Sequence, residues 1–149
     1  MKTTEHQKVL QASSAAEPEC LEVPDVGVQY PEQELTRRIL GAAFAVHNTL
    51  GVGFLEKVYE NALAVELRQG GMECEQQQIL KVSYRGYIVR DYTADLVVSG
   101  RVIVELKACS TLDTCHGAQL INYLRASDLR VGLLLNFGRP RLQYKRFVN

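Results

Sequence analysis

The fold is decided by the stretch Tyr92-Thr93-Ala94-Asp95-Leu96-Val97-Val98-Ser99-Gly100-Arg101-Val102-Ile103-Val104-Glu105-Leu106-Lys107. Apolar residues occupy its even positions on both sides of Ser99-Gly100, and this alternation predicts two β-strands, over 87–98 and 101–108. Successive side chains of a strand point to opposite faces, so the odd positions share the face away from the apolar core. Residues paired across an antiparallel hairpin share a face, which predicts Asp95 opposite Glu105 and a loop over 99–101.

Further elements are predicted on both sides of this hairpin. Helical spacing of apolar residues predicts two helices before it, over 31–50 and 54–69, each followed by glycines that end the helix. Alternation from Gln76 onward predicts a preceding strand that reaches a turn at Arg85-Gly86. After the hairpin we expect a helix over about 113–126, a strand over 131–137 that is buried on both faces, and a more polar edge strand over 142–148.

Composition indicates one globular domain with a charged tail. The chain has 149 residues, of which 46% are hydrophobic and 23% charged, and its formal net charge is zero. Residues 1–34 hold two basic and seven acidic residues, a net charge of −5, and the remainder carries +5. We therefore predict an acidic, disordered tail over 1–30 and a single domain over 31–149. The longest wholly apolar run, Ala42–Val46, is too short to span a membrane, and no secretory signal is visible, which predicts a cytoplasmic protein.

Three charged residues of the central hairpin are predicted to lie together. Asp95, Glu105 and Lys107 share the odd face, so two carboxylates and an ammonium group meet on adjacent strands. Carboxylate oxygens suit Mg²⁺, and a cation beside them suits metal-assisted hydrolysis of a phosphodiester. The alternative is an exposed charge ladder in which Glu105 and Lys107 are ordinary solvated residues.

The order of these motifs resembles a known superfamily. A D-x9-E-x-K pattern on a hairpin, followed by a helix with Gln119 and Tyr123 as Q-x-x-x-Y, resembles the PD-(D/E)XK nuclease superfamily. Within it the chain is similar to the GxxExxY family over about 35–148. The segments that carry this likeness are Gly53-Phe54-Leu55-Glu56-Lys57-Val58-Tyr59, Ala118-Gln119-Leu120-Ile121-Asn122-Tyr123-Leu124 and Val131-Gly132-Leu133-Leu134-Leu135-Asn136-Phe137-Gly138.

The resemblance implies an α/β fold with a PD-(D/E)XK nuclease-like, restriction-endonuclease-like core: a mixed central β-sheet flanked by α-helices. It also implies that Asp95 and Glu105 are metal ligands and that Lys107 is the catalytic lysine. The proline that gives the superfamily its name is replaced here by Ala94, which keeps the core face apolar.

Three helical residues have two interpretations each. With Gly53 as helix N-cap, Glu56 would be the third helical residue, where a carboxylate favours free amides and the helix dipole. The resemblance instead implies that Glu56 is a metal ligand, bound directly or through water. Gln119 and Tyr123 could form only a polar helix face, whereas the resemblance implies that they orient the phosphate or the lysine.

The function predicted from the sequence is that of a Mg²⁺- or Mn²⁺-dependent nuclease. Its substrate is nucleic acid, with DNA favoured, and Asp95, Glu105 and Glu56 would hold the ion while Lys107 stabilises developing negative charge. The alternative is a non-catalytic binding or scaffold subunit that keeps a nuclease-like fold. A homodimer is compatible with so small a nuclease, although no residue pattern indicates one.

Overall fold

A computed structural model of the protein describes residues 29–149. It contains the helices and strands α1 Gln33–Leu50, α2 Glu56–Gln69, β1 Cys74–Tyr84, β2 Tyr87–Val98, β3 Val102–Lys107, α3 Thr114–Ser127, β4 Val131–Asn136 and β5 Gln143–Val148. The tail predicted over 1–30 lies, apart from its last two residues, outside this described part. No helix between 29 and 149 has the length and apolar character to cross a membrane.

The strands form one mixed sheet in the order β1-β2-β3-β4-β5. Neighbouring strands are antiparallel except β3 and β4, which are parallel. A parallel pair needs a crossover connection, and α3 supplies it between β3 and β4. The sheet carries helices on both faces, so the α/β fold with a mixed sheet is confirmed.

The beginning of α2 differs from the prediction. Gly53 is not its N-cap: Leu55 occupies that position, and Glu56 is the first helical residue rather than the third. The reason is a hydroxyl group from within the helix. The Tyr59 Oη donates to the Gly51 carbonyl at 2.6 Å and accepts from the Phe54 N–H at 3.3 Å, and so holds residues 51–54 in a loop.

Buried apolar side chains form two clusters, one on each face of the sheet. The even residues Val102, Val104 and Leu106 of β3 pack with α1 and α2, as the alternation predicts. Ile103, on the opposite face, packs with Leu120 and Leu124 of α3. The face away from the first cluster is thus a second core, and a solvated charge ladder along the whole of that face is excluded.

The expectation of a single core face along β2 is wrong. Leu96 packs in the cluster under α1 and α2, whereas Ala94, another even residue, packs in the cluster under α3. The change of face between Leu96 and Ala94 lies opposite Gln77 of β1. The φ of 54° at Gln77 interrupts the ladder between the pairs Gln76–Leu96 and Gln78–Ala94. A left-handed residue in a strand reorients the local backbone, which accounts for the change of face.

Candidate active site

The hairpin of β2 and β3 brings the two predicted carboxylates together. Backbone pairing runs from Val98–Val102 to Leu96–Val104 in the predicted register. One residue further, side chains replace the backbone partners. The Asp95 N–H donates to Glu105 Oε1 at 2.9 Å, and the Leu106 N–H donates to Asp95 Oδ2 at 2.9 Å. Both carboxylates therefore lie where β2 and β3 stop pairing.

Glu105 is a buried acid whose charged form is disfavoured. Its residue is only 4% exposed. Burial and then the negative charge of Asp95 raise the pKa of Glu105 from 4.5 to about 9, and the ammonium of Lys107 acts in the opposite direction. Two carboxylates held this close in a low-polarity setting repel each other, so the pair favours a cation or a proton between them.

The backbone after β3 is clamped to the end of β4, which fixes the position of Lys107. The Phe137 N–H donates to the Lys107 carbonyl at 2.8 Å. Asn136, fully buried, donates its amide to the Cys109 carbonyl at 2.9 Å and accepts the Cys109 N–H at 3.0 Å. A Cβ at Gly138 would lie 2.3 Å from the Cys109 nitrogen, so only glycine allows this approach. Asn136 and Gly138 thus hold the backbone that follows β3 against the end of β4.

Glu56 approaches the same region from the first turn of α2. Burial raises its pKa first; the ammonium of Lys107 lowers it, and the charges of Asp95 and Glu60 raise it. The charges of Lys107 and Asp95 therefore act on Glu56, although its side chain remains exposed. Between residues 29 and 149, no three His, Cys, Asp or Glu side chains converge closely enough to enclose an ion. A ligand role for Glu56 therefore stays a prediction.

A second acid of α2, which the sequence analysis did not single out, faces the site. Glu60 is 3% exposed and accepts hydrogen bonds from Gln76 Nε2 at 3.0 Å, from the amide of Gln77 and from the ammonium of Lys57. The Gln77 amide also lies 3.4 Å from Asp95 Oδ1. Gln77 thus bridges the buried Glu60 and the candidate ligand Asp95.

A signal for Glu60 was present in the sequence. It follows Glu56 by four residues, and residues with this spacing lie on one face of a helix. No comparable signal existed for Gln77, because its contacts depend on the left-handed backbone that the folded strand adopts.

Helix α3 brings Gln119 and Tyr123 to the other side of the carboxylates. Gln119 Nε2 donates to Tyr123 Oη at 2.8 Å, and the Tyr123 ring lies 5.1 Å from the ring of Tyr92. Burial raises the pKa of Tyr123, and the charges of Glu105 and Asp95 raise it further. The charges of both acids therefore act on Tyr123, and its role in the site stays a prediction.

The position of α3 follows from its cap and from a small residue beneath it. Asp113 caps the helix by accepting the Cys115 N–H at 3.2 Å, while His116 Nδ1 accepts the Asp113 N–H at 3.1 Å. A Cβ at Gly132 of β4 would lie 2.8 Å from Leu120 Cδ1, so glycine lets the helix approach the sheet closely. His116 is a capping residue.

The chemistry of the donors fits a hard divalent cation. Mg²⁺ binds one or two carboxylates and keeps several waters, so Asp95 and Glu105 suffice as protein ligands, and Mn²⁺ accepts the same oxygens. A cation beside Glu105 would also offset the burial and repulsion that raise its pKa.

The mixed sheet and the paired acids are typical of one class of nucleases, and comparison with known proteins assigns the chain to that class. The family pattern of the PD-(D/E)XK nuclease superfamily matches residues 33–147, so the chain belongs to this superfamily. The crystal structure of SSO0001 is similar in fold, with a TM-score of 0.51 and 17% sequence identity over 79% of this chain and 59% of that chain. The chain thus spans about three fifths of that protein's length. No curated protein matches the sequence significantly.

Proposed function

We propose that this protein is a metal-dependent nuclease that hydrolyses phosphodiester bonds, with DNA as its substrate. The observation that carries the proposal is the crossed pair of hydrogen bonds, Asp95 N–H to Glu105 and Leu106 N–H to Asp95, at the point where two strands separate. The pair supplies two rigidly held carboxylates beside Lys107. A bound Mg²⁺ or Mn²⁺ ion would supply Lewis-acid stabilisation of the reacting phosphate and activation of water.

Each residue of the chain then has a distinct role. Asp95 and Glu105 hold the ion, and the backbone N–H groups keep their carboxylates oriented. Lys107, anchored through its carbonyl to Phe137, places an ammonium group where negative charge develops on the phosphate. Glu56 is an additional ligand, directly or through water.

Gln119 and Tyr123 orient the phosphate or the lysine in this proposal. Their mutual hydrogen bond of 2.8 Å holds both polar groups in place beside the acids. A pre-oriented group loses little freedom when it binds substrate, which favours a positioning role.

Burial of Glu105 beside Asp95 supports a catalytic site over a scaffold role. A buried carboxylate beside a second, half-buried one costs free energy that an apolar pair of similar size would avoid. Such a cost is typical of sites where burial and like charges are used to tune reactivity. A scaffold that worked only through its surface would need neither acid.

Membership of the GxxExxY family, the cellular location and the oligomeric state are also proposals. Tyr59, the last residue of the G-x-x-E-x-x-Y segment, holds the loop before α2 through its hydroxyl, which supports placement in the GxxExxY family. A cytoplasmic location and a homodimer stay predictions from the sequence.

The decisive experiment is a cleavage panel. Full-length protein is incubated with single-stranded, double-stranded and branched DNA and with RNA, in Mg²⁺, in Mn²⁺ and in excess chelator. We expect cleavage of DNA that requires the ion and disappears in Lys107→Ala. Lys145→Ala on β5 is the matched control, because it removes the same charge from an exposed position of the edge strand and should leave cleavage intact.

Two results would contradict the proposal in different ways. Cleavage of RNA alone would show that RNA, and not DNA, is the substrate. Absence of cleavage of every substrate, in a folded protein that still binds DNA, would favour the scaffold alternative.

A further inference from the structure

The β1–β2 hairpin extends well beyond the rest of the sheet. β2 pairs with β3 only over Leu96–Val98, whereas its pairing with β1 continues to Tyr84–Tyr87. Leu80 and Ala94 still pack under α3, so the outer part that this helix leaves uncovered, residues 81–91, is named the ribbon here. At its tip Arg85 and Gly86 have φ values of 48° and 82°, the pattern of a tight two-residue turn that keeps two strands closely paired.

The ribbon exposes large side chains that a monomeric surface normally hides. Tyr87 is 77% exposed and Tyr84 is 59% exposed, and Ile88 and Val89 next to Tyr87 are exposed as well. Clustered apolar and aromatic side chains on a surface mark a site of interaction. The ribbon is therefore the strongest candidate for an interaction surface in the described part of the chain.

Positive charge accompanies these aromatic rings. Residues 81–91 contain the cations Lys81, Arg85 and Arg90 and a single anion, Asp91. The Arg85 guanidinium lies 5.2 Å from the centre of the Tyr84 ring, an arrangement that exposes cation and ring together. Cations match the phosphates of a nucleic acid, and exposed apolar side chains can contact base edges such as the thymine methyl in the major groove.

The edge of the ribbon is poorly suited to another β-strand. The register of its ladder shifts between Val82 and Ser83, and the left-handed Gln77 interrupts the same edge strand before the ribbon begins. Lys81 lies on the same edge strand. Kinks, bulges and lysines are the features by which edge strands avoid pairing with a second chain. Strand addition by a second copy is therefore disfavoured.

We propose that the ribbon binds the major groove of duplex DNA on one side of the cleaved bond. This inference rests on the proposed function and specifies its substrate as double-stranded. A two-stranded β-ribbon fits a groove that is about 12 Å wide. Tyr92 packs against Tyr123 of α3, so the uncovered part of β2 runs from Asp91 to Tyr87 and covers about 13 Å at ~3.3 Å per residue. This length corresponds to about four base pairs at ~3.4 Å each.

The test measures binding in excess chelator, so that no cleavage interferes. Fluorescence anisotropy follows full-length protein with a duplex of about 24 base pairs and with one of its strands, over about 50 to 300 mM salt. Each phosphate contact contributes about 0.9 to the slope of log affinity against log salt. The triple variant Lys81→Ala, Arg85→Ala, Arg90→Ala should lower the duplex slope by about 2 to 3.

The matched control removes the same total charge elsewhere. Arg37→Ala, Arg125→Ala, Arg130→Ala changes exposed residues outside the ribbon and should lower the slope by less than about 1. Tyr84→Ser with Tyr87→Ser should weaken duplex binding by about tenfold and leave the salt slope nearly unchanged, because apolar contacts to base edges release no counterion. Equal losses in the ribbon and control triples would overturn the proposal.

Other outcomes also count against the ribbon. Loss of single-strand binding with unchanged duplex binding would contradict the duplex assignment. A dimer in sedimentation that dissociates in the tyrosine variant, with unchanged DNA affinity, would assign the surface to a second copy. Cleavage tests the active site separately. The control triple should keep the wild-type kcat, and a protein that binds DNA through the ribbon but never cleaves it would refute only the nuclease activity.

Discussion

Two adjacent sections of the β2–β3 hairpin differ in the groups that accept their backbone N–H hydrogen bonds. From Val98 to Leu96, β2 meets β3 through the regular ladder, and the side chains on both faces are buried and apolar. At Asp95 and Glu105, one residue further, carboxylates accept the N–H groups that the ladder would otherwise use. The apolar section sets the register, and the polar section gives up backbone pairing to hold two acids. Changes in the two sections should therefore affect different properties.

The largest effect is expected in the polar section. Asp95→Asn and Glu105→Gln should each lower kcat by at least about 100-fold, because each removes charge that acts on the ion and on the transition state. Binding of Mn²⁺, followed by electron paramagnetic resonance, should weaken in parallel. Unfolding in urea checks that both variants remain folded. Cleavage at the wild-type rate in either variant would show that the substituted acid is not needed for catalysis.

Substitution in the apolar section should give the opposite result. Val104 is fully buried, and Val104→Ala leaves a cavity in the core, which should lower the free energy of unfolding by about 2 kcal/mol. Denaturant titration measures this loss. The kcat at a temperature where the variant is folded should stay within about twofold of the wild type. A fall as large as that of Glu105→Gln would show that the two sections are not separable.

An effect of intermediate size on the free energy of unfolding is expected for each unit of pH change. The pKa of Glu105 is raised from 4.5 to about 9, so the folded protein holds a proton that the unfolded chain releases above 4.5. The stability contributed by protonated Glu105 is thus complete below pH 4.5 and is lost as the pH rises to about 9, by at most about 1.4 kcal/mol per pH unit.

Urea unfolding at several pH values, in chelator, measures this dependence. Glu105→Gln should flatten it, and Val104→Ala should lower the whole curve without changing its slope. Saturating Mg²⁺ should also reduce the slope, because a bound cation replaces the proton. An unchanged slope in Glu105→Gln would show that another group titrates.

The smallest effect is expected at Gln77. Its amide lies 3.4 Å from Asp95 Oδ1, near the limit of a hydrogen bond, and it links Asp95 to the buried Glu60. Gln77→Ala should weaken Mn²⁺ binding and lower kcat by about three- to tenfold, since a hydrogen bond contributes about 1 kcal/mol. Gln78→Ala, at the next position, is the control and should change neither. Identical behaviour of the two variants would leave Gln77 without a positioning role.

The two sections also differ in how far the sequence predicts them. Apolar alternation predicts the register of β2 and β3, and with it the meeting of Asp95 and Glu105, because burial determines which residues face the core. The start of α2 was predicted wrongly because the hydroxyl of Tyr59, within α2 itself, keeps the preceding residues in a loop. Propensity and spacing contain no information about such a contact.

The contacts around Asp95 and Glu105 could not be predicted from propensity and spacing either. Ala94 changes face because Gln77 adopts a left-handed backbone, which a residue other than glycine rarely does and which no local pattern indicates. The bridge from Glu60 through Gln77 to Asp95 joins α2, β1 and β2, so it exists only after the helix has packed on the sheet. Glu60 was within reach of sequence reasoning through its spacing from Glu56, and Gln77 was not.

The central claim is that the acids and the lysine at the end of the β2–β3 ladder hydrolyse DNA with a divalent ion. Single-turnover cleavage of duplex DNA by full-length protein tests it most directly, with wild type and Lys107→Ala compared in Mg²⁺ and in chelator. Wild-type cleavage should depend on Mg²⁺ concentration and should fall by at least about 100-fold in Lys107→Ala, which retains wild-type stability. Cleavage at the wild-type rate in excess chelator, or in Lys107→Ala, would contradict the claim.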